Sequence, residues 1–453
     1  MMRKLGVAAV FIVATTTTPT EAQESALSSA KDATKTAPTS ADAALAYGRA
    51  LRKAGKDNES LTELRRALSF ATGSSAVMVD WEIARTHIAK RDFTAAMSAC
   101  GAITKLPGGG APAETGGVPT RAGEAAAAAR VCKGEAHLLW RRGTEAQGEL
   151  AELAKISKVV GSGPVGQEIN YIAKIIDGRA RALDSKDAEA EVAYKEAIAL
   201  QPNRADAHVL LGSMLQRAGK DGTASLKKAV ELDGRDPTAL LEYGRALTND
   251  VKTRGEAITT LEKAIAERPT SLEAMRLLTE TYIASNKLTD AKRIAAKVLA
   301  LAPNDVLAHV VSGRVALADG KPDEALKEGE AALKIQANEG KAKLLIADAY
   351  AKKGEIDLAL EAYQKASGMD PLDPTALVNA TYACIAAQRL TSAKAFGQRA
   401  VLDFPNHAPA WVAQGDALAA DGNPAAARKA YESAKKVHGA DVAAIDAKLS
   451  KLK

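Results

Sequence analysis

Counting back from Gly439 in steps of 34 residues lands on Pro405, Pro371, Ala337 and Pro303, each closing a similar stretch of chain. The same place is then held by Pro269 and, with slips in spacing, by Gly234 and Pro202. A fixed period of this length means that one supersecondary unit is repeated and stacked, because a single unit cannot bury its apolar face alone.

Each unit ends in a recognisable phrase: YKEAIALQP (194–202), LKKAVELDG (226–234), LEKAIAERP (261–269) and YQKASGMDP (363–371). Inside the units two alanines stand seven residues apart: Ala190 and Ala197, Ala257 and Ala264, Ala325 and Ala332, Ala359 and Ala366, Ala393 and Ala400, Ala427 and Ala434. Seven residues are about two helical turns, so both alanines share one face and let a neighbouring helix approach closely. Nineteen residues before the second alanine stands another small residue, at Gly178, Gly313, Ala347 and Gly415, with Gly48 in the first unit. That spacing predicts a second helix crossing the first at small residues. Polar turns such as RKAGKD (52–57), QRAGKD (216–221) and LADGKP (317–322) separate the two helices, and glycine there supplies a left-handed cap. Asp-Pro-Thr at 236–238 and 373–375, or Pro-Asn at 202–203 and 405–406, starts the next unit with an N-cap and a helix-compatible proline.

The pattern resembles the tetratricopeptide repeat, a 34-residue helix–turn–helix unit, in its exported bacterial form. The family's first-helix tryptophan survives at Trp411, with Trp81 in a similar place, and its first-helix tyrosine at Tyr282 and Tyr350, while Cys384 fills that slot once. The second-helix aromatic survives as Tyr194, Tyr363 and Tyr431. The resemblance implies an all-α, right-handed superhelical solenoid of about 11 stacked helix–turn–helix units.

Along the chain the expected order begins with a signal peptide over 1–22: Arg3 and Lys4, an apolar run from Leu5 to Ala14, then Thr20-Glu21-Ala22 as cleavage site. Ten apolar residues are too few to span a bilayer, which needs about 20. A polar linker over 23–40 follows, then repeats one and two at 41–107. A Gly/Pro loop at 108–120 leads to a degenerate helical pair at 121–160. A second loop at 161–170 precedes eight repeats over 171–441 and a C-terminal capping helix at 442–453.

Catalytic spacing is absent from this reading. Gly161, Gly163 and Gly166 match GxGxxG, but that motif cradles a dinucleotide only between a strand and a helix, and here it joins two helices. Six histidines are scattered singly, without the paired spacing of a zinc helix. No enzyme, cofactor or metal is expected. A net charge of +6 is mild for 453 residues, and without a concentrated basic run nucleic-acid binding is not expected either. Cys100 and Cys132 fall on helices that neighbour each other in a stacked solenoid. Two readings stand side by side: a disulfide closing the loop, or two buried thiols. Cys384 reads as core.

A recurring Gly-Arg dipeptide gives Arg49, Arg179, Arg245 and Arg314 directly after the small first-helix residue. By resemblance, that position faces the concave groove, with Arg276, Lys341 and Lys352 nearby and Leu241, Val310, Leu344 and Val378 as its apolar members. Arginine offers a planar fork for carboxylates, which suits a peptide partner. The same slot carries Glu280, Asp348 and Asp416, so the charges could equally pair with each other from repeat to repeat. The expected function is a non-catalytic, periplasmic or envelope-associated scaffold that holds a partner protein or peptide in the groove, not integral in the membrane after signal cleavage. The alternative is an envelope polysaccharide-binding or export-accessory subunit.

Overall fold

The computed structural model describes residues 21–105, 121–156, 163–248, 250–437 and 440–452. Among them the chain forms 24 α-helices and no strand. A leading helix, α1 (Glu21–Thr36), precedes eleven helix pairs. These are α2 (Ala41–Lys53) with α3 (Asp57–Leu68), α4 (Ser74–Ala89) with α5 (Phe93–Ala102), α6 (Arg121–Leu139) with α7 (Gly143–Ile156), and α8 (Pro164–Leu183) with α9 (Asp187–Leu200). Then come α10 (Ala205–Arg217) with α11 (Thr223–Leu232), α12 (Pro237–Leu247) with α13 (Arg254–Glu267), α14 (Leu272–Ala284) with α15 (Leu288–Leu301), and α16 (Val306–Ala318) with α17 (Pro322–Ile335). The last pairs are α18 (Gly340–Lys353) with α19 (Ile356–Met369), α20 (Thr375–Ala386) with α21 (Leu390–Asp403), and α22 (Ala408–Ala420) with α23 (Pro424–Lys435), followed by α24 (Val442–Leu449).

The small-residue code has a direct structural meaning. Both members of every alanine pair from Ala190/Ala197 to Ala427/Ala434 are buried. Where the small residue of a first helix is glycine, as at Gly48, Gly178, Gly313 and Gly415, it faces a bulky side chain rather than another small one. A Cβ on Gly178 would lie 2.5 Å from Tyr194 Cε1, and one on Gly48 would lie 2.5 Å from Leu64 Cδ2. Gly415 and Tyr431 repeat the arrangement. At Gly48, Gly178 and Gly415 a tyrosine or leucine of the second helix fills the volume that glycine vacates on the first, whereas at Gly313 Leu345 of the next first helix, α18, does so. Between the helices, Gly55, Gly219, Gly320, Gly354 and Gly422 take the left-handed φ expected of the turn.

Two expectations are corrected. The stretch 23–40, expected as a polar linker, carries α1 through Thr36. Leu27, Ala30 and Thr34 are its half-buried residues, at helical spacing, and α1 lies against α2. The stretch 161–170, expected as a loop, is helical from Pro164, which sits at the helix start where its missing N–H is harmless. The Gly/Pro loop at 108–120, the signal segment up to residue 20 and residues 161–162 lie outside the described residues.

Two compact units divide the chain: Met1–Ala246 with Lys263–Pro269, and Leu247–Glu262 with Thr270–Lys453. Within the first, the first helices α2, α4, α6 and α8 touch in succession. Within the second, α14, α16, α18, α20 and α22 do the same. Cys100 of α5 and Cys132 of α6 are joined by a disulfide, Cα–Cα 5.5 Å, and both are fully buried. Cys384 is a buried free thiol. No described helix is long and apolar enough to cross a membrane, and no group of His, Cys, Asp or Glu among the described residues could hold a metal.

Candidate binding face

In the first unit, the surface along which first helices meet is an alternating chain of charges. Glu82 of α4 is buried at 1% exposure. Its carboxylate accepts from Arg49 Nε at 3.0 Å and Arg52 Nε at 2.6 Å, both on α2. Arg85, one turn along α4, turns the other way: its Nη2 lies 3.1 Å from Glu135 of α6 and 3.6 Å from Glu168 of α8. Trp81 Nε1 donates to the same Glu135 at 2.7 Å, and Arg85 lies 4.6 Å over the Trp81 ring. Glu168 then accepts from Arg204 Nη1 at 2.6 Å, and Arg204 reaches Asp206 at 2.9 Å. Arg204 also stacks 4.0 Å over the ring of Tyr171, whose hydroxyl donates to Asp206.

The electrostatics of this chain are mutually supporting. Burial alone would raise the Glu82 carboxyl, but Arg52, Arg85 and Arg49 hold it below the usual range. Burial opposes the charge on Arg85, yet Glu135, Glu82 and Glu168 outweigh it and keep the guanidinium firmly protonated. Every acid in the row has an arginine, so the face is saturated by its own side chains.

The second unit has the equivalent row at 34-residue steps: Glu280, Arg314, Asp348, Tyr382 and Asp416. Arg314 Nη2 meets Glu280 at 2.8 Å but is 53% exposed. Burial raises the Glu280 carboxyl in spite of Arg314 and Arg276, so pairing here does not offset desolvation. Asp348 accepts from the Tyr363 hydroxyl at 2.7 Å and Asn379 Nδ2 at 2.9 Å, and burial raises it likewise. Asp416 accepts from Lys448 at 2.8 Å, from Tyr431 at 2.7 Å, and from the 40%-exposed Tyr382 at 3.1 Å. This row is looser, more exposed, and mixes both charges with an aromatic ring.

The sequence-predicted residues separate accordingly. Arg49 and Arg314 pair one repeat away, as in the repeat-to-repeat ladder. Arg245 lies 3.5 Å from Glu242 on its own helix. Arg179 and Lys341 are exposed, and Arg276 is half-buried beside Glu280. The apolar members are corrected: Leu241, Val310 and Val378 are buried in the core and Leu344 is half-buried against it. Val310 packs on Ala332 and Ala342, and Val378 on Ala400, Val401 and Ala410. Leu241, Val310 and Leu344 stand three residues before the small residue, on the same helical face, so they enter the helix–helix contact and not an open groove. Glu82, Arg85, Glu135, Glu168 and Arg204 are absent from the sequence-based set.

Family models of the tetratricopeptide repeat match residues 252–310, 344–403 and 391–441. No curated protein matches. Among solved structures, the chain is similar to yeast Tom70, at 12% identity and TM-score 0.45, over 90% of this chain and 95% of that one. It is also similar to a tetratricopeptide repeat protein from Parabacteroides merdae, at 14% identity and TM-score 0.41, over 62% of this chain and 98% of that one.

Proposed function

We propose that this tetratricopeptide-repeat protein is a non-catalytic scaffold of the cell envelope, holding a partner protein or peptide along the first-helix face of its second unit. Repeats of this kind generally serve as protein–protein interaction scaffolds. The observation that carries the choice of face is the contrast between the two rows. Arginine–carboxylate pairs saturate the first, whereas the second offers Arg314, Tyr382 and Lys448 to solvent. Arginine and tyrosine are the side chains that anchor interfaces, since they combine contact area with hydrogen bonding. Export is supported by the buried Cys100–Cys132 disulfide, a bond that persists in oxidising compartments.

The test is a photo-crosslinking residue at position 382, compared with one at position 365 on the second-helix side, in intact cells with adducts recovered from the envelope fraction. A discrete protein adduct from position 382 alone is the expected result. Equal capture of the same protein from position 365 refutes the assigned face. Recovery from the soluble interior refutes the envelope assignment.

A further inference from the structure

The row of side chains on the second unit's first helices is charge-balanced at its ends and not in its middle. Arg314 of α16 turns back to Glu280 of α14 at 2.8 Å, and Lys448 of α24 holds Asp416 of α22 at 2.8 Å. Between these pairs stands Asp348 of α18. Its hydrogen bonds come from neutral groups, the Tyr363 hydroxyl at 2.7 Å and Asn379 Nδ2 at 2.9 Å, and both end on Oδ1. The other oxygen, Oδ2, accepts nothing from the described residues and is not sealed from solvent. Lys352, one turn along α18, is exposed and makes no ion pair with it. Burial raises the Asp348 carboxyl against the opposing pull of Tyr363, Asn379 and the charge of Arg314.

Asp348 does not stand alone. Asn379, which donates to it, and Tyr382 lie three residues apart on α20 and share a face. Tyr382 is 40% exposed, and its hydroxyl donates to Asp416 of α22, the neighbour on the other side, at 3.1 Å. One turn beyond Arg314, Asp348 and Tyr382, the half-buried Leu317, Ala351 and Ile385 supply an apolar strip on the same faces. An uncompensated carboxylate, an exposed aromatic ring and an apolar strip are what a long cationic side chain uses. Its head pairs and stacks while its stem is buried.

We propose that the segment held by this face is basic and apolar: a lysine or arginine of the partner sets its cation on Asp348 Oδ2 and the Tyr382 ring, with neighbouring apolar side chains on Leu317, Ala351 and Ile385. The proposal rests on the partner reading of the second-unit face and gives that partner its sign. The arginine and lysine of the row do not invite an acidic segment, because Glu280 and Asp416 already occupy them. An acidic segment would have to displace those carboxylates and would still meet Asp348. A cation instead completes the one charge of the row that the described residues leave uncompensated, and complementary charge of this kind sets partner choice.

The test uses the full mature chain and synthetic peptide pools matched in length and apolar content: a lysine/arginine pool, an aspartate/glutamate pool and a glutamine pool. Affinity is read by fluorescence anisotropy, and the contact by a photo-crosslinker at the exposed Ala386 position compared with one at position 365. The basic pool is expected to bind best and to crosslink from position 386. Asp348→Asn keeps the side-chain volume and should lower that affinity at least about fivefold, the loss of one charge-assisted bond. Tyr382→Leu changes an exposed side chain and should lower it about twofold or more. Glu361→Gln removes an exposed acid of α19, paired with Lys365, and should leave affinity unchanged. Preference for the acidic pool, an equal loss in Glu361→Gln, or undiminished binding by both Asp348→Asn and Tyr382→Leu overturns the basic partner, while crosslinks from position 386 keep the face. Crosslinks from position 365 alone refute the face itself. No binding by any pool also overturns the inference.

Discussion

Glu82 and Glu280 occupy comparable places on first helices, yet their surroundings predict opposite responses to losing the charge. Replacing Glu82 by Gln keeps the volume but withdraws the acceptor of Arg49 at 3.0 Å and Arg52 at 2.6 Å. It also removes one of the carboxylates that hold the buried Arg85. Arg49 and Arg52 can turn to water, whereas Arg85 retains only Glu135 and Glu168. Breaking a buried pair on one side costs about 3–5 kcal/mol, and partial rescue of Arg85 puts this variant near about 3 kcal/mol. Glu280→Gln removes a carboxylate whose burial already outweighs its pairing, so its cost should stay below about 1 kcal/mol. Urea denaturation with peptide-resolved hydrogen exchange would locate each loss in its own unit. The sign with pH also differs. Glu82 is depressed in the fold, so its contribution is present above the unfolded carboxylate range and is lost as pH falls through the folded value. Glu280 is raised, so its contribution is complete at low pH and falls away as pH rises. Equal costs for the two variants at pH 7, or a Glu82→Gln cost below about 1 kcal/mol, would refute the reasoning.

Asp80, buried at 6% exposure, is pushed up to about 6 by burial alone. Its stabilising contribution is therefore complete below the unfolded value near 3.8 and lost as pH rises through about 6. Asp80→Asn should stabilise the first unit by up to about 3 kcal/mol at pH 7.5 and by little at pH 4, read from urea midpoints. An unchanged midpoint at pH 7.5 counts against it. Replacing Cys100 and Cys132 by Ser should cost about 3–4 kcal/mol for a closed loop of 32 residues, and protein exchange should rise first in α5 and α6. A free thiol at Cys100 in exported protein, found by non-reducing peptide mapping, contradicts the bond.

The helix pairs were legible because 34-residue spacing aligns Ala190/Ala197 with Ala427/Ala434, and small residues admit few alternatives at a tight crossing. The charge relay of the first unit was not. Its members fall at 82, 85, 135, 168 and 204, and the insertion between α5 and α6 breaks the beat that would have superposed them. Glu168 was further hidden because Gly-Ser-Gly-Pro ahead of it reads as a loop, while the proline in fact opens α8. The helix α1 was missed because its inward residues are only Leu27, Ala30 and Thr34, too small to give a strong apolar face. The apolar groove set erred in rotation: a side chain three residues from the glycine shares its face, and one residue away, where arginine stands, does not.

The relay from Glu82 through Arg85 to Arg204 makes the early repeats unlike bricks. A solenoid of self-contained units tolerates duplication, deletion and reshuffling, since each unit meets its neighbours through generic apolar contact. Here α4 holds an acid for α2 and a base for α6 and α8, so each repeat is addressed to particular neighbours. Excising the pair α6–α7 would take away Glu135, the 3.1 Å partner of Arg85, and leave Glu168 of α8 as its carboxylate on that side. The order of the early repeats is thus written in their charges as well as in their apolar contacts.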